Sequence, residues 1–266
     1  MNLKDKKPYL IYCIGDSHVS FFSGINEIQR VWPNKSQMIL PFFKVFPVGQ
    51  TLAYNLIKSN SSSHGREKIF TILKKEIPKG SNILFCFGEI DCRAHLIKQS
   101  RIQKRNLSSI VEECVDRYFS AILDINNLGY KVLVWNVVPS TRLNKINNNM
   151  YPLVGNCKER NLVTVMFNKY LARKCNAIRI PFVFIYQNII DKHGLTKMFY
   201  YMDGIHLSQK AMPMTLKAIS RSLKVDLKLN FYNLTKYVIC NALRDTYLVA
   251  KYFKKALIKD HKWQYF

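Results

Sequence analysis

The sequence predicts an α/β fold: a parallel sheet of about five strands, covered by helices on both faces and followed by a C-terminal helical extension. Three observations carry this expectation. Apolar runs of strand length alternate with longer segments of helical period, the runs are apolar at both alternate positions, and the pattern changes at about residue 224. Strands apolar on both faces belong between helical layers, and a repeating strand, helix, strand order gives parallel pairing with right-handed crossovers.

The strand segments are YLIYCIG (9–15), SQMILPFFKVFP (36–47), NILFCFG (82–88), KVLVWNVVP (131–139) and PFVFIY (181–186). Between them, REKIFTILKKEI (66–77) sets Ile69, Ile72, Leu73 and Glu76 on one mostly apolar stripe and stops at Pro78 and Gly80. LSSIVEECVDRYFSAILDINNLG (107–129) opens on a Ser-Ser-x-x-Glu cap and closes at Gly129. KERNLVTVMFNKYLARKCN (158–176) and SQKAMPMTLKAISRSL (208–223), with Pro213 near its first turn, repeat the pattern. Residues 1–223 are thus expected to form the α/β domain. Residues 224–266, basic and aromatic and ending in Trp263, Tyr265 and Phe266, form one or two further helices. An apolar face of this extension packs on the domain or, alternatively, makes peripheral contact with an anionic membrane surface.

At 266 residues and 48% apolar content the chain can bury a full core. No stretch approaches the roughly 18–20 apolar residues of a membrane span. The opening MNLKDKKPYLIYCIGDS has no small-residue cleavage site and reads as the first core strand, not a signal peptide. Seven scattered cysteines without a C-x-x-C pair indicate neither a zinc cage nor a complete disulfide framework, and they fit a reducing cytoplasm, with the membrane's inner face as a second location. The acceptor patterns at Asn34, Asn60, Asn106 and Asn233 are then chance matches. The net charge of +24 is spread along the chain among many Asn and Ile residues, as AT-rich coding would produce, so no nucleic-acid partner is expected.

In a parallel sheet, ligands sit beyond the carboxyl ends of the strands. GDSH (15–18) follows the first strand there and GEIDCR (88–93) the third, with the long loops 139–156 and 187–208 nearby. Ser17 has two possible jobs at this position. It caps a helix start, or it attacks a substrate, for which it needs a base within about 2.6–3.2 Å and amide donors for an oxyanion. YYMDGIHLSQKAM brings Asp203 and His206 three residues apart, a spacing that lets the carboxylate hold one imidazole nitrogen while the other accepts a proton. On the residues alone, a helix cap for Asp203 and a satisfied buried imidazole for His206 stay open. His18 is expected to point away along the helix; the alternative is a base that competes with His206.

In order and spacing, GDSH at 15–18, Gly49 in FPVGQTLAYNL, GEID at 88–91 and DGIH at 203–206 resemble the SGNH (GDSL-like) hydrolase family, across residues 8–223. The resemblance implies a flavodoxin-like three-layer α/β/α sandwich. It implies Ser17 as nucleophile, His206 as general base and then acid, and Asp203 as its orienting partner. The Ser17 and Gly49 amides would supply oxyanion donors, with Gly88 and Arg93 among the oxyanion or substrate-binding positions. One departure stands out: Ile90 occupies the place of the family's donor Asn. Losing such a donor lowers turnover by about 10² to 10³. Arg93 and His95 are the substitutes at hand, although Arg93 can instead pair with Glu89 or Asp91.

The FGEIDCR form looks like a subgroup associated with bacterial surface-polysaccharide synthesis, which implies an acyl group on a sugar hydroxyl as substrate. With no phosphate loop, no dinucleotide fingerprint, no H-E-x-x-H and no metal-ligand spacing among the histidines, neither a cofactor nor a metal is expected. Three functions follow: an acyl ester hydrolase, an O-acyltransferase to a surface-polysaccharide precursor using the same residues, or a non-catalytic glycan-binding or membrane-surface protein with a decayed oxyanion hole.

Overall fold

Buried side chains along the central strands point alternately to the two faces of the sheet and split the core in two. The computed structural model describes residues 9–146 and 150–260. Its five strands are β1 (Ile11–Gly15), β2 (Phe43–Pro47), β3 (Asn82–Cys86), β4 (Lys131–Trp135) and β5 (Phe182–Val183). All pair in parallel, in the order β2-β1-β3-β4-β5. Ile14, Phe85 and Val134 face one apolar cluster, and Cys13, Leu84 and Leu133 face the other. A two-residue side-chain period under two-sided burial produces this three-layer sandwich.

The first layer is α1 (Gly65–Glu76), α2 (Leu96–Gln103), α3 (Leu107–Asn127) and α4 (Cys157–Ala177). Ile69 and Leu73, Val111 and Val115, and Val163 and Phe167 from these helices interdigitate over the sheet. The short α5 (Tyr186–Ile189) follows β5, and α6 (Met212–Leu223) covers the opposite face through Met212 and Ile219. There it meets the 3₁₀ turn Ser17–Ser23, whose Phe21 and Phe22 pack on Trp135 at ring-centroid distances of 6.2 and 5.2 Å. A single helix, α7 (Phe231–Asp260), forms the extension. The terminal Trp263, Tyr265 and Phe266 lie outside the described residues, as does the basic opening at residues 1–8.

Three elements differ from the expected ones. The 36–47 segment enters the sheet only at Phe43, because Pro41, which has no amide to donate, begins a turn just ahead of β2. The 181–186 segment contributes two paired residues, since the Asn136 side chain accepts from the Ile185 amide at 2.6 Å where a ladder bond would continue. Helix α2, whose sequence LIKQSRIQ has little apolar periodicity, was not expected; it grows out of the π-helical turn Asp91–His95.

Gly15, at the end of β1, shows why the first motif begins with glycine. An added Cβ would stand 2.3 Å from the Cys86 carbonyl oxygen and 2.8 Å from Val19, so only glycine lets β1 pass β3 at the turn toward Ser17.

Candidate active site

The first motif turns directly off β1. Asp16, fully buried, accepts from the His18 amide at 2.8 Å and so caps the 3₁₀ turn, leaving the Ser17 hydroxyl free of capping work. The capping role weighed for Ser17 therefore belongs to its neighbour. The second Asp16 oxygen is buried without a protein partner, and burial pushes this carboxyl well above the usual range.

Ser17 Oγ instead lies 2.8 Å from His206 Nε2, and His206 Nδ1 lies 2.6 Å from Asp203 Oδ2. The DGIH turn builds this arrangement locally. The Met202 amide donates to the His206 carbonyl at 2.9 Å, closing the turn, and Tyr201 and Leu207 form an antiparallel bridge beside it. Asp203 Oδ1 accepts from the amides of Ile205 (2.9 Å) and His206 (2.7 Å), which leaves Oδ2 for the ring. Burial alone would raise the Asp203 carboxyl, but the bonds and charge it shares with His206 hold it down at about 2. The carboxylate is therefore ionised under any ordinary condition.

Two long-range contacts hold Ser17 and His206 together, although they are far apart in sequence. The Gln209 side chain donates to the Phe21 carbonyl at 2.7 Å, and the Gln209 amide donates to Asn26 Oδ1 at 2.7 Å. The serine-bearing turn is thus stitched to the segment that carries the histidine. The imidazole of His206 is 16% exposed and the Asp203 side chain 40%, so solvent reaches the site.

The third motif completes the edge. Gly88 takes φ +108°, and a Cβ there would stand 2.8 Å from Val137, so the chain can leave β3 in this direction only through glycine. Asp91 accepts from the amides of Ala53 (2.8 Å) and Tyr54 (3.2 Å). It thereby ties the loop after β2, which carries Gly49, to the loop after β3. Burial raises the Asp91 carboxyl to about 6.

Arg93 is 4% exposed, and its Nε donates to both Glu89 oxygens, at 2.8 and 3.0 Å, while one terminal nitrogen donates to the Tyr151 carbonyl at 2.7 Å. Of the two roles open to Arg93, the ion pair with Glu89 is the one its contacts display. Ile90 is buried at 3% exposure. His95 packs edge-on against Tyr151, with ring centroids 5.5 Å apart.

His18 departs from its expected direction. Its ring lies against His206, with centroids 4.6 Å apart, and its Nε2 is 3.2 Å from Glu89 Oε2. A second carboxylate–imidazole pair, His18 with Glu89, therefore adjoins the first. Burial lowers the His18 pKa, favouring the neutral ring. The Glu89 carboxyl, raised by burial but lowered more by Arg93 and His18, is held at about 2. Sequence reasoning missed the His18–Glu89 pair. The available signal was that both residues directly follow the motif positions at one sheet edge.

The loop 139–156 borders the site. Buried Arg160 donates from Nε to Ser140 Oγ at 2.9 Å and from a terminal nitrogen to the Thr141 carbonyl at 2.8 Å, and the Val154 amide donates to the Arg93 carbonyl at 3.2 Å. Leu143 on this loop lies beside Gly204 of the DGIH turn. Among the described residues, no group of three or more His, Cys, Asp or Glu is arranged to hold a metal ion.

The sequence matches no protein-family model and no curated protein. Its fold does match solved structures. One, from Bacteroides fragilis and described as a putative acylhydrolase, shares 11% identity over 84% of this chain and 93% of its own, with a TM-score of 0.52. A GDSL-like lipase from Bacteroides thetaiotaomicron shares 12% identity over 84% and 92%, with a TM-score of 0.49. The sandwich of this chain shares the α/β fold of the Bacteroides fragilis structure, with a helical extension added; at 11% identity the likeness concerns fold, and the chemistry has to be argued from the residues.

Proposed function

We propose that the protein is a serine-dependent acyl ester hydrolase of the SGNH type. The observation that carries this reading is the linear chain of contacts from Ser17 Oγ to His206 Nε2 at 2.8 Å and from His206 Nδ1 to Asp203 Oδ2 at 2.6 Å. Ser17 attacks the ester carbonyl carbon as its proton passes to His206 Nε2, and the imidazolium formed is stabilised by Asp203. The tetrahedral intermediate collapses when His206 protonates the departing alcohol. Water, deprotonated by His206, then attacks the acyl-serine and releases the acid. In this reading the backbone amides of Ser17 and Gly49 serve the oxyanion, and Gly88 and Arg93 remain the further candidates that the resemblance names.

The substrate we infer is an O-acyl group on a sugar hydroxyl. Solvent access at Asp203 and His206 favours water over a second sugar hydroxyl as acceptor, and so favours hydrolysis over transfer. Incubation with a fluorophosphonate probe tests the assignment: a single adduct on Ser17, abolished in Ser17→Ala, is expected. Absence of a Ser17 adduct in the folded wild type would sink it and would leave a non-catalytic binding role.

Ile90 sets the expected speed. With an apolar side chain where the related enzymes place an amide donor, turnover should be low, and Ile90→Asn should raise kcat on p-nitrophenyl acetate by at least about tenfold. An unchanged kcat would mean that another group already serves the oxyanion.

A further inference from the structure

Helix α7 is attached to the domain the wrong way round for an ordinary amphipathic helix. Its inward contacts are polar. Asn241 donates to the Gly24 carbonyl at 2.9 Å and accepts from the Asn26 amide at 3.2 Å, Asp245 accepts from the Asn26 side chain at 3.0 Å, Arg244 pairs with Glu27, and the Tyr237 hydroxyl donates to the Gln209 carbonyl at 2.9 Å. Its outward face is apolar. Phe231, Tyr232, Val238, Ile239 and Leu243 are 85, 73, 55, 51 and 66% exposed. At about 100° per residue these five fall on one side of the helix, opposite Tyr237, Asn241 and Arg244.

The apolar surface extends past the helix. A groove of about 480 Å³ between α7 and the 25–39 segment is lined by Ile25, Met38, Ile39, Cys240 and Leu243, with Gln37 and Arg244 as its polar members. Ile28 and Met38, 40 and 38% exposed, stand on that segment, with exposed Arg30 and Lys35 among them. An exposed face on which large apolar side chains predominate marks a contact surface.

Charge selects the occupant. The chain carries a net +24, and its stretch from Lys224 to Phe266 holds nine Lys or Arg against three Asp. Like charge of that size opposes pairing this face with a second copy, whereas anionic headgroups complement it. Among the described residues, no helix is long and apolar enough to cross a bilayer, which leaves a helix lying in the interface plane.

We propose that α7, together with the 25–39 segment, docks the protein onto an anionic lipid surface. The apolar face enters the headgroup boundary and the basic residues meet the lipid phosphates. Because the polar side of α7 holds Asn26 and Gln209, the same helix braces the segments bearing Ser17 and His206 at that surface. This proposal stands independently of the chemistry at Ser17.

Co-sedimentation of the full chain with vesicles tests it. Binding to phosphatidylcholine vesicles containing 30% phosphatidylglycerol should exceed binding to pure phosphatidylcholine by at least about tenfold and should weaken between 50 and 500 mM NaCl. The triple variant Phe231→Ser/Val238→Ser/Leu243→Ser should lose about tenfold in binding while keeping the wild-type melting temperature. A single replacement, Leu243→Ser, gives a smaller loss in the same direction if the triple variant fails to fold. No preference for anionic vesicles in the wild type, or equal binding by wild type and a folded variant, overturns the proposal. So does a dimer in sedimentation equilibrium that the variant dissociates without any vesicle binding.

Discussion

Asp203→Asn is expected to lower kcat by about 10⁴ on p-nitrophenyl acetate, with little change in melting temperature, and Ser17→Ala should lower it at least as far. The asparagine keeps the size and can still accept from the amides of Ile205 and His206, so the turn survives. It cannot supply the anion that accepts the Nδ1 proton, and its amide group can donate to that nitrogen. The imidazole then presents a protonated Nε2 to Ser17 and cannot take the hydroxyl proton. Because the Asp203 carboxyl is held at about 2, it adds no titration of its own above about pH 4. Stopped assays of both variants beside the wild type, with circular dichroism as the folding control, decide the matter. Retention of wild-type kcat in a folded variant would remove the residue replaced in it from the chemistry.

Glu89→Gln should cost about 3–5 kcal/mol of stability, the range for removing one partner of a buried ion pair. Glu89 and Arg93 side chains are each 5% exposed, and Arg93 would keep its charge with only carbonyl and amide oxygens to meet it. His18 would also lose the carboxylate on its Nε2. The pH dependence has a definite sign. Glu89 is depressed in the folded protein to about 2 from an ordinary 4.5, so it binds fewer protons folded than unfolded between those values. Its contribution, about 3 kcal/mol by linkage, is present above pH 4.5 and is lost as pH falls toward 2. Urea unfolding of the wild type should therefore weaken over that window, and the Glu89→Gln variant should show a flatter acid limb. Parallel acid limbs would mean that the pair contributes nothing to stability.

The layering was legible from the sequence because burial acts on one residue at a time. Ile11, Cys13 and Ile14 had to be apolar on both faces once helices covered both sides of the sheet, and that pattern survives in the bare order of letters. Element ends were less legible. A turn beginning at Pro41, and a side chain, Asn136, substituting for a ladder bond, cut two strands short without altering the apolar run that announced them. Helix α2 carried too little periodicity to be seen, since it grows from a π-helical turn whose Asp91 is held by amides from a distant loop.

For the site, the sequence by itself determined the residue types and the edge where they gather. Ser17 follows β1 and Gly88 follows β3 on a parallel sheet, and the three-residue spacing of Asp203 and His206 lets one turn pair them. Only the tertiary structure decided what touches what. The Gln209 stitch that brings His206 to Ser17, the choice of Glu89 by Arg93, the turning of His18 onto His206 and the outward apolar face of α7 all depend on contacts between segments far apart in the chain. Periodicity records which face of an element is buried; it carries no record of which distant side chain fills the space opposite, and the chemistry of this edge depends on those partners.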